Sequence, residues 1–268
     1  MTDAANRFVV LQRSLEVPGV EKLKRAFHSV KCLTESDAHT LAKDAFGILV
    51  KNLTVEDAMA LQAALGAEDI DTAVVLQSDL PQLPPIKFVR QLDCLTEGLV
   101  VHDAIGRQFS VRWDQIMLVA AGSVLLTVFE QEKVTPTPSL LQAEVTSWSP
   151  FLPRRGVVND PAPEYVSRER QASKLLLELL LSGAVMRFQV EAGRFRFDYL
   201  GDRKRPGLME NFALLARDVM KFAPQAMVNR GAYFVPEGSG PVFEYPSKNA
   251  FYEEITWMLW QAMNAKKT

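Results

Sequence analysis

The chain is poor in the residue types that most often carry chemistry. It has three histidines and two cysteines among 268 residues. Cys32 and Cys94 fall in different predicted elements and form no Cys-x-x-Cys pair, which argues against a disulfide framework and for a reducing compartment. No group of His and Cys has the spacing of a metal site. We therefore expect neither a metal nor a cofactor.

Long apolar runs are also missing. The leucine-rich stretch 175–181 is broken by Glu178 and is far shorter than the roughly 20 residues needed to span a bilayer. The first six residues are polar and lack the charged segment and apolar core of a signal peptide. The sequence thus predicts a cytoplasmic chain without a transmembrane segment.

An excess of positive charge is absent. The net charge is −2, whereas a general nucleic-acid binder is usually strongly basic, so no nucleic-acid partner is expected. The charge is unevenly placed: residues 1–80 have 8 Lys and Arg against 12 Asp and Glu, and residues 166–230 have 12 against 7. A small acidic ligand for the second half and a mixed solvated surface both fit this distribution.

Catalytic signatures are not found in the sequence. There is no Gly-x-Ser-x-Gly, Walker or Gly-x-Gly-x-x-Gly motif. His102 and Asp103 are neighbours, but adjacent side chains of a strand point to opposite faces and cannot cooperate as acid and base. No catalytic residue is predicted. The missing signatures favour a protein that is not an enzyme, and an enzyme of unfamiliar type stays open as a further alternative.

The first 80 residues show alternating strand and helix patterns. Two helix starts are indicated by Thr34–Asp37 and Thr54–Asp57, because the Thr hydroxyl can accept a hydrogen bond from a free backbone N–H. The predicted order is β-α-α-β-α-β: Phe8–Leu11, Val20–Val30, a helix from Thr34, Ile48–Val50, a helix from Thr54, and Thr72–Leu76.

A Pro-rich linker, 81–86, ends this first domain and opens a β-rich domain over 87–268. Five strand patterns between residues 87 and 129 are separated by glycines at hairpin-like intervals. A long insertion is predicted at 135–167, and Leu175–Leu181 fits a strand and a helix equally. Further on, the patterns predict a hairpin, 185–191 with 194–200, and helices at 208–222 and 247–263. The fold class is α+β.

The N-terminal order resembles the C-terminal domain of the bacterial ribosomal stalk protein, most closely over Gly47–Leu65. The adaptor of the Clp protease has the same fold. In the stalk family the first two helices and their connection recruit translation factors. The resemblance places partner-binding residues at Arg25 and His28, within a basic group that includes Lys24 and Lys31.

The second half resembles, more weakly, a pleckstrin-homology-like barrel. The resemblance rests on consecutive hairpins, the phrase Val111–Leu118 and a helix after the last hairpin. A split α+β domain has a similar pattern.

Two surfaces are candidate sites. A basic β surface with Arg187, Arg194, Arg196 and Arg203 predicts an anion site for a phosphorylated metabolite or lipid headgroup, with a solvated β face as the alternative. The last helix is apolar almost all round, so Trp257 and Trp260 predict either a homodimer or domain interface, or core packing.

The leading hypothesis is a cytoplasmic interaction or adaptor protein with a protein partner. A sensor of small anions is the alternative.

Overall fold

The computed structural model describes residues 6–31, 33–44, 46–134, 164–235 and 242–265. Helices and sheets are both present, so the predicted α+β class is confirmed. Residues 1–126 and 173–268 form one compact unit, and residues 127–172 form a second. None of the described helices is long and apolar enough to cross a membrane.

The N-terminal module has the predicted β-α-α-β-α-β order. Its strand β1 lies between β2 and β3 and is antiparallel to both. Both Thr-x-x-Asp starts are confirmed, because the backbone N–H of Asp37 donates to Thr34 Oγ1, and that of Asp57 to Thr54 Oγ1, each at 3.2 Å. The elements are β1 (Phe8–Gln12), α1 (Val20–Phe27), α2 (Glu35–Asp44), β2 (Ile48–Leu53), α3 (Val55–Ala67) and β3 (Thr72–Leu76).

A second sheet of eight strands begins at Ile86, the last residue of the Pro-rich segment 81–86. The strands are β4 (Ile86–Cys94), β5 (Gly98–Asp103), β6 (Gln108–Arg112), β7 (Ile116–Val134), β8 (Glu164–Leu181), β9 (Arg187–Glu191), β10 (Met227–Val228) and β11 (Glu244–Tyr245). Their order is β10-β7-β8-β9-β4-β5-β6, with β11 also beside β7. Since the described strands form an open path, the pleckstrin-homology-like barrel is not confirmed.

Three helices accompany this sheet: α4 (Leu208–Phe222), α5 (Arg230–Tyr233) and α6 (Lys248–Ala265). The bounds predicted for α4 are confirmed, and α6 begins one residue later and ends two residues later than predicted. The ambiguous segment Leu175–Leu181 is a strand, the end of β8. Most of the predicted insertion, 135–163, lies outside the described residues, and 164–167 is already part of β8.

The predicted hairpin after residue 185 is wrong. Both edges of β9 are occupied, by β8 on one side and β4 on the other, so no third strand can pair with it. The chain instead turns through Ala192–Arg194 and passes beside β4, where the Arg196 N–H donates to the Arg90 carbonyl at 2.8 Å. Phe195 and Phe197 remain buried, which satisfies their alternating apolar pattern without a hairpin.

Helix α6 lies between the two sheets. Trp260 packs with Val9 and Leu11 on one face of β1, whereas Val10 packs on the opposite face with the helices of the N-terminal module. The other flank of α6, which includes Phe251, packs against β7 and β8. This explains why the helix is apolar almost all round.

The contact between α6 and the N-terminal module is specific as well as apolar. Trp257 Nε1 donates to the Gln12 carbonyl at 2.6 Å, and Gln261 Nε2 donates to the Arg13 carbonyl at 2.9 Å. The Trp257 ring lies over Gly47, whose φ is +87°. Trp257 and Trp260 therefore pack against the N-terminal module within one compact unit, and their use in a homodimer stays a prediction.

Gly47→Ala tests this contact. A Cβ at Gly47 would lie 2.2 Å from the Trp257 ring, whereas Gly106, with φ +84°, has no atom within 4 Å of its Cβ position. Gly106→Ala should therefore lose only the free energy that a side chain costs in the left-handed backbone region, about 1–2 kcal/mol. We expect Gly47→Ala to lose about 1–3 kcal/mol more than Gly106→Ala, because the added Cβ overpacks against the Trp257 ring. The free energy of unfolding in urea measures both losses. If the two variants lost the same free energy of unfolding, the Trp257 ring would move aside for the added Cβ at no cost, and the predicted overpacking would be wrong.

Candidate functional site

The basic group predicted on the first helix lies at the surface, with Lys24 partly buried, and is largely paired. Lys24 Nζ lies 2.9 Å from Glu21 Oε1, and Arg25 forms two hydrogen bonds with the Glu68 carboxylate, at 2.8 and 2.5 Å. The hydrogen bond from Arg25 lowers the pKa of the Glu68 carboxyl.

The two other members of the group follow α1. His28 Nε2 is 3.7 Å from Glu35 Oε1, and Lys31 is exposed. The four residues thus occupy α1 and its connection to α2, where the sequence places them.

A cleft of about 250 Å³ adjoins this connection. We call it the α2 cleft, and its apolar lining comes from α1, α2, the connection between them and β2. Its polar rim includes Thr40, Lys51 and Glu253, the last of which belongs to α6. Lys51 Nζ and Glu253 Oε1 are 2.6 Å apart, so an ion pair joins the two halves of the chain at the cleft. The apolar lining consists of Phe27, Leu33, Leu41, Leu49 and Val50.

The start of α2 fixes one wall of the cleft. Asp37 Oδ2 accepts hydrogen bonds from the backbone N–H and the hydroxyl of Thr34, both at 2.7 Å, and its own N–H returns one to Thr34. These hydrogen bonds from Thr34 lower the pKa of the Asp37 carboxyl. The reciprocal cap satisfies donors at the helix start and so holds the cleft wall in place.

The structure removes Arg187 from the predicted anion surface. Arg187 is 4% exposed and pairs with the fully buried Glu178 on β8, with Arg187 Nη2 to Glu178 Oε1 at 2.9 Å. Its guanidinium lies 4.2 Å from the centre of the Tyr252 ring. Because β9 is an inner strand and α6 covers this part of it, the side chain faces a protein interior and not solvent.

The other three arginines of that prediction are exposed, and each has a carboxylate nearby. Arg194 lies 3.6 Å from Glu191, and Arg196 lies 2.8 Å from Asp198. Arg203 makes two hydrogen bonds with Asp218, at 3.0 and 2.8 Å. The predicted β surface is not formed at Arg194 and Arg196, since the second strand of the hairpin is absent. Anion binding by these three residues stays a prediction.

A buried polar network ties α5, α6, β7 and β11 together. The Tyr245 hydroxyl donates to Glu254 Oε2 at 2.5 Å and accepts from Asn229 Nδ2 at 2.7 Å and from the Gly231 N–H at 3.1 Å. Glu254 Oε1 accepts from the Arg230 N–H at 2.8 Å. Since the hydroxyl of Tyr245 and both oxygens of Glu254 are occupied inside the protein, this network is a structural element.

Reactive groups are few among the described residues. Burial raises the pKa of the Cys94 thiol to about 12, so it is protonated at neutral pH and a poor nucleophile. His102 pairs with Asp93 at 2.9 Å, and Asp103 instead receives hydrogen bonds from Arg107 and the Ile105 N–H, as expected for opposite faces of a strand. The described part of the chain contains no group of His, Cys, Asp and Glu that could hold a metal ion.

Tyr245→Phe should destabilise the fold strongly. The variant leaves Glu254 Oε2 and the Gly231 N–H without their partner, and each buried unsatisfied group costs about 1–3 kcal/mol. Tyr199→Phe is the matched control, because its hydroxyl makes one hydrogen bond, to Asp218 at 3.1 Å, and Arg203 still satisfies that carboxylate. In urea unfolding we expect Tyr245→Phe to lower the free energy of unfolding by about 3 kcal/mol and Tyr199→Phe by about 1 kcal/mol. Similar losses in the two variants would show that the hydrogen bonds of the network contribute little to stability.

Glu254 should also make stability depend on pH. Burial raises the pKa of its carboxyl above the ordinary 4.5, so the folded state holds the proton more tightly than the unfolded state. Its contribution to stability is therefore full below the unfolded pKa and is lost as the pH rises through the folded pKa. The difference in unfolding free energy between the wild type and Glu254→Gln should shrink over that range in a urea series. If the difference between the two proteins grew with pH, the pKa of Glu254 would be lowered by folding and not raised.

The comparisons with known proteins add no relative. No family model, no curated protein and no solved structure matches this chain. The resemblance of the N-terminal module to the stalk-protein domain therefore stays a prediction, carried by its element order and its two Thr-x-x-Asp helix starts.

Proposed function

We propose that this chain is a non-enzymatic interaction protein of the cytoplasm that binds a protein partner through the α2 cleft. The proposal rests on the cleft itself, which is an apolar depression with a polar rim. It lies beside the four basic residues Lys24, Arg25, His28 and Lys31. Such a depression takes an apolar side chain of a partner, while the rim supplies hydrogen bonds and excludes water. The proposal agrees with the surface that the stalk-protein resemblance implies.

The ion pairs of the basic residues determine which charge and which side chains are expected in the partner segment. Lys24, Arg25 and His28 each have a carboxylate of the same module nearby, so their charges are partly compensated. Affinity should then come mainly from the apolar lining, and the charges should act on encounter rate and orientation. The expected partner segment has an apolar anchor residue and carries no strong net charge.

Two buried clusters of polar groups supply no accessible catalytic residue. Tyr245, Glu254, Arg187 and Glu178 are buried and bonded to one another in two separate clusters, away from solvent. An active site would need such groups to converge in a pocket that a substrate can enter. The α2 cleft has apolar residues at its base instead.

The test blocks the cleft without touching the core. Thr40 is an exposed residue of the rim, so Thr40→Phe should fill the cleft and leave the fold intact. We expect a partner that co-purifies with the tagged wild-type chain at modest salt to be reduced at least tenfold with this variant, by quantitative mass spectrometry.

His39→Phe is the control, since it adds the same ring to an exposed position of α2 that does not line the cleft. It should retain the partner at the wild-type level, and both variants should unfold at the wild-type temperature. The proposal fails if nothing is specifically enriched, or if both variants retain the partner equally.

A further inference from the structure

One face of the second sheet is covered only in part. Helix α6 extends over β7 and β8 and reaches β9, where Gln189 Nε2 donates to the Tyr252 hydroxyl at 2.9 Å. Beyond this point the same face of β4 carries Phe88, which is 53% exposed, and Arg90, which is also exposed. The sheet therefore emerges into solvent beside α6.

A cleft of about 150 Å³ lies at this boundary. We call it the β9 cleft; its lining includes Phe88, Arg90, Ala104, Gln189, Glu191 and Arg194. The register explains why these residues meet, because Phe88 pairs directly with Gln189 across the parallel strands β4 and β9. Arg90 and Glu191 each follow two residues later, on the same face.

Gln189 offers a fixed hydrogen-bond acceptor to this cleft. The residue is 4% exposed, and its Nε2 donates to Glu178 Oε1 at 2.5 Å and to the Tyr252 hydroxyl at 2.9 Å. A carboxylate cannot donate, so the amide nitrogen must face Glu178. Its carbonyl Oε1 receives no hydrogen bond from any described residue and is the polar atom left for the cleft.

Glu191 supplies a second acceptor beside the first. Lys174 Nζ and Arg194 Nε both contact its Oε1, at 2.8 and 3.6 Å. The cleft thus has two neighbouring oxygens, one of them on a carboxylate, which suit an ammonium group.

The cations of the cleft lie next to these acceptors. No carboxylate of the described residues lies within ion-pair distance of Arg90, whereas the nearby Arg196 has Asp198 at 2.8 Å. Arg194 has only the long contact with Glu191. Guanidinium groups with donors to spare bind a carboxylate in a bidentate manner.

We infer that the β9 cleft binds a small zwitterion of the α-amino acid type. The ligand carboxylate meets Arg90 and Arg194, its ammonium meets Gln189 Oε1 and Glu191, and an apolar side chain lies against Phe88 and Ala104. The volume of about 150 Å³ equals roughly five waters, so the cleft holds an amino acid only in part and leaves the remainder at the open side. This site is independent of the proposed partner binding at the α2 cleft.

Calorimetric titration of the purified chain with L-leucine and L-phenylalanine tests the inference. Saturable binding of at least one is expected at millimolar concentration. Two truncated analogues separate the contributions: 4-methylpentanoate lacks the ammonium of leucine, and 3-methylbutylamine lacks its carboxylate. Each should bind at least tenfold more weakly than L-leucine, because each leaves one set of charged groups in the cleft unpaired.

Variants of the cleft complete the experiment. Arg90→Gln and Arg194→Gln should each weaken amino acid binding at least tenfold and leave thermal unfolding unchanged, since both side chains are exposed. Arg196→Gln is the control, an exposed arginine that does not line the cleft, and it should bind as the wild type does. The inference is overturned if neither amino acid binds, if 4-methylpentanoate binds as tightly, or if Arg90→Gln has no effect.

Discussion

The arrangement of this chain depends on one helix that buries two opposite flanks. One flank of α6 completes the apolar layer against β7 and β8, and the other places Trp257 and Trp260 on the sheet of the N-terminal module. Without α6, the fully buried Val9 and Leu11 would face water. The helix also carries Glu254 of the buried network and Glu253 of the α2 cleft, so the same packing positions a structural core and a candidate binding surface.

Local sequence signals were sufficient to predict the order of helices and strands in the N-terminal module. The hydroxyl and carboxylate of each Thr-x-x-Asp start act within three residues, so these helix starts can be read directly from the sequence, and β3 was placed to the residue. The hairpin after Val185 failed for the opposite reason. Whether Arg194–Leu200 can pair with β9 depends on β4, a strand about a hundred residues earlier, and no local pattern reports that the edge of β9 is already occupied.

The candidate sites were harder to predict than the elements. The basic residues of α1 lie where the sequence placed them, but the α2 cleft is completed by Glu253, about two hundred residues from Lys51. Arg187 looked like a surface charge because period-two alternation does not reveal which face of an inner strand is covered. The run Phe8–Leu11 did contain a usable signal, since consecutive apolar residues without alternation indicate a strand buried on both faces.

The hydrogen bond from Trp257 to Gln12 has a consequence for how the chain is made. It joins residues 245 positions apart, so the outer face of the N-terminal sheet cannot be covered until Trp257 has left the ribosome. Contacts of such high sequence separation form late and slow the search for the native state. During synthesis the module must therefore expose an apolar sheet face, a state that favours aggregation and calls for chaperone protection.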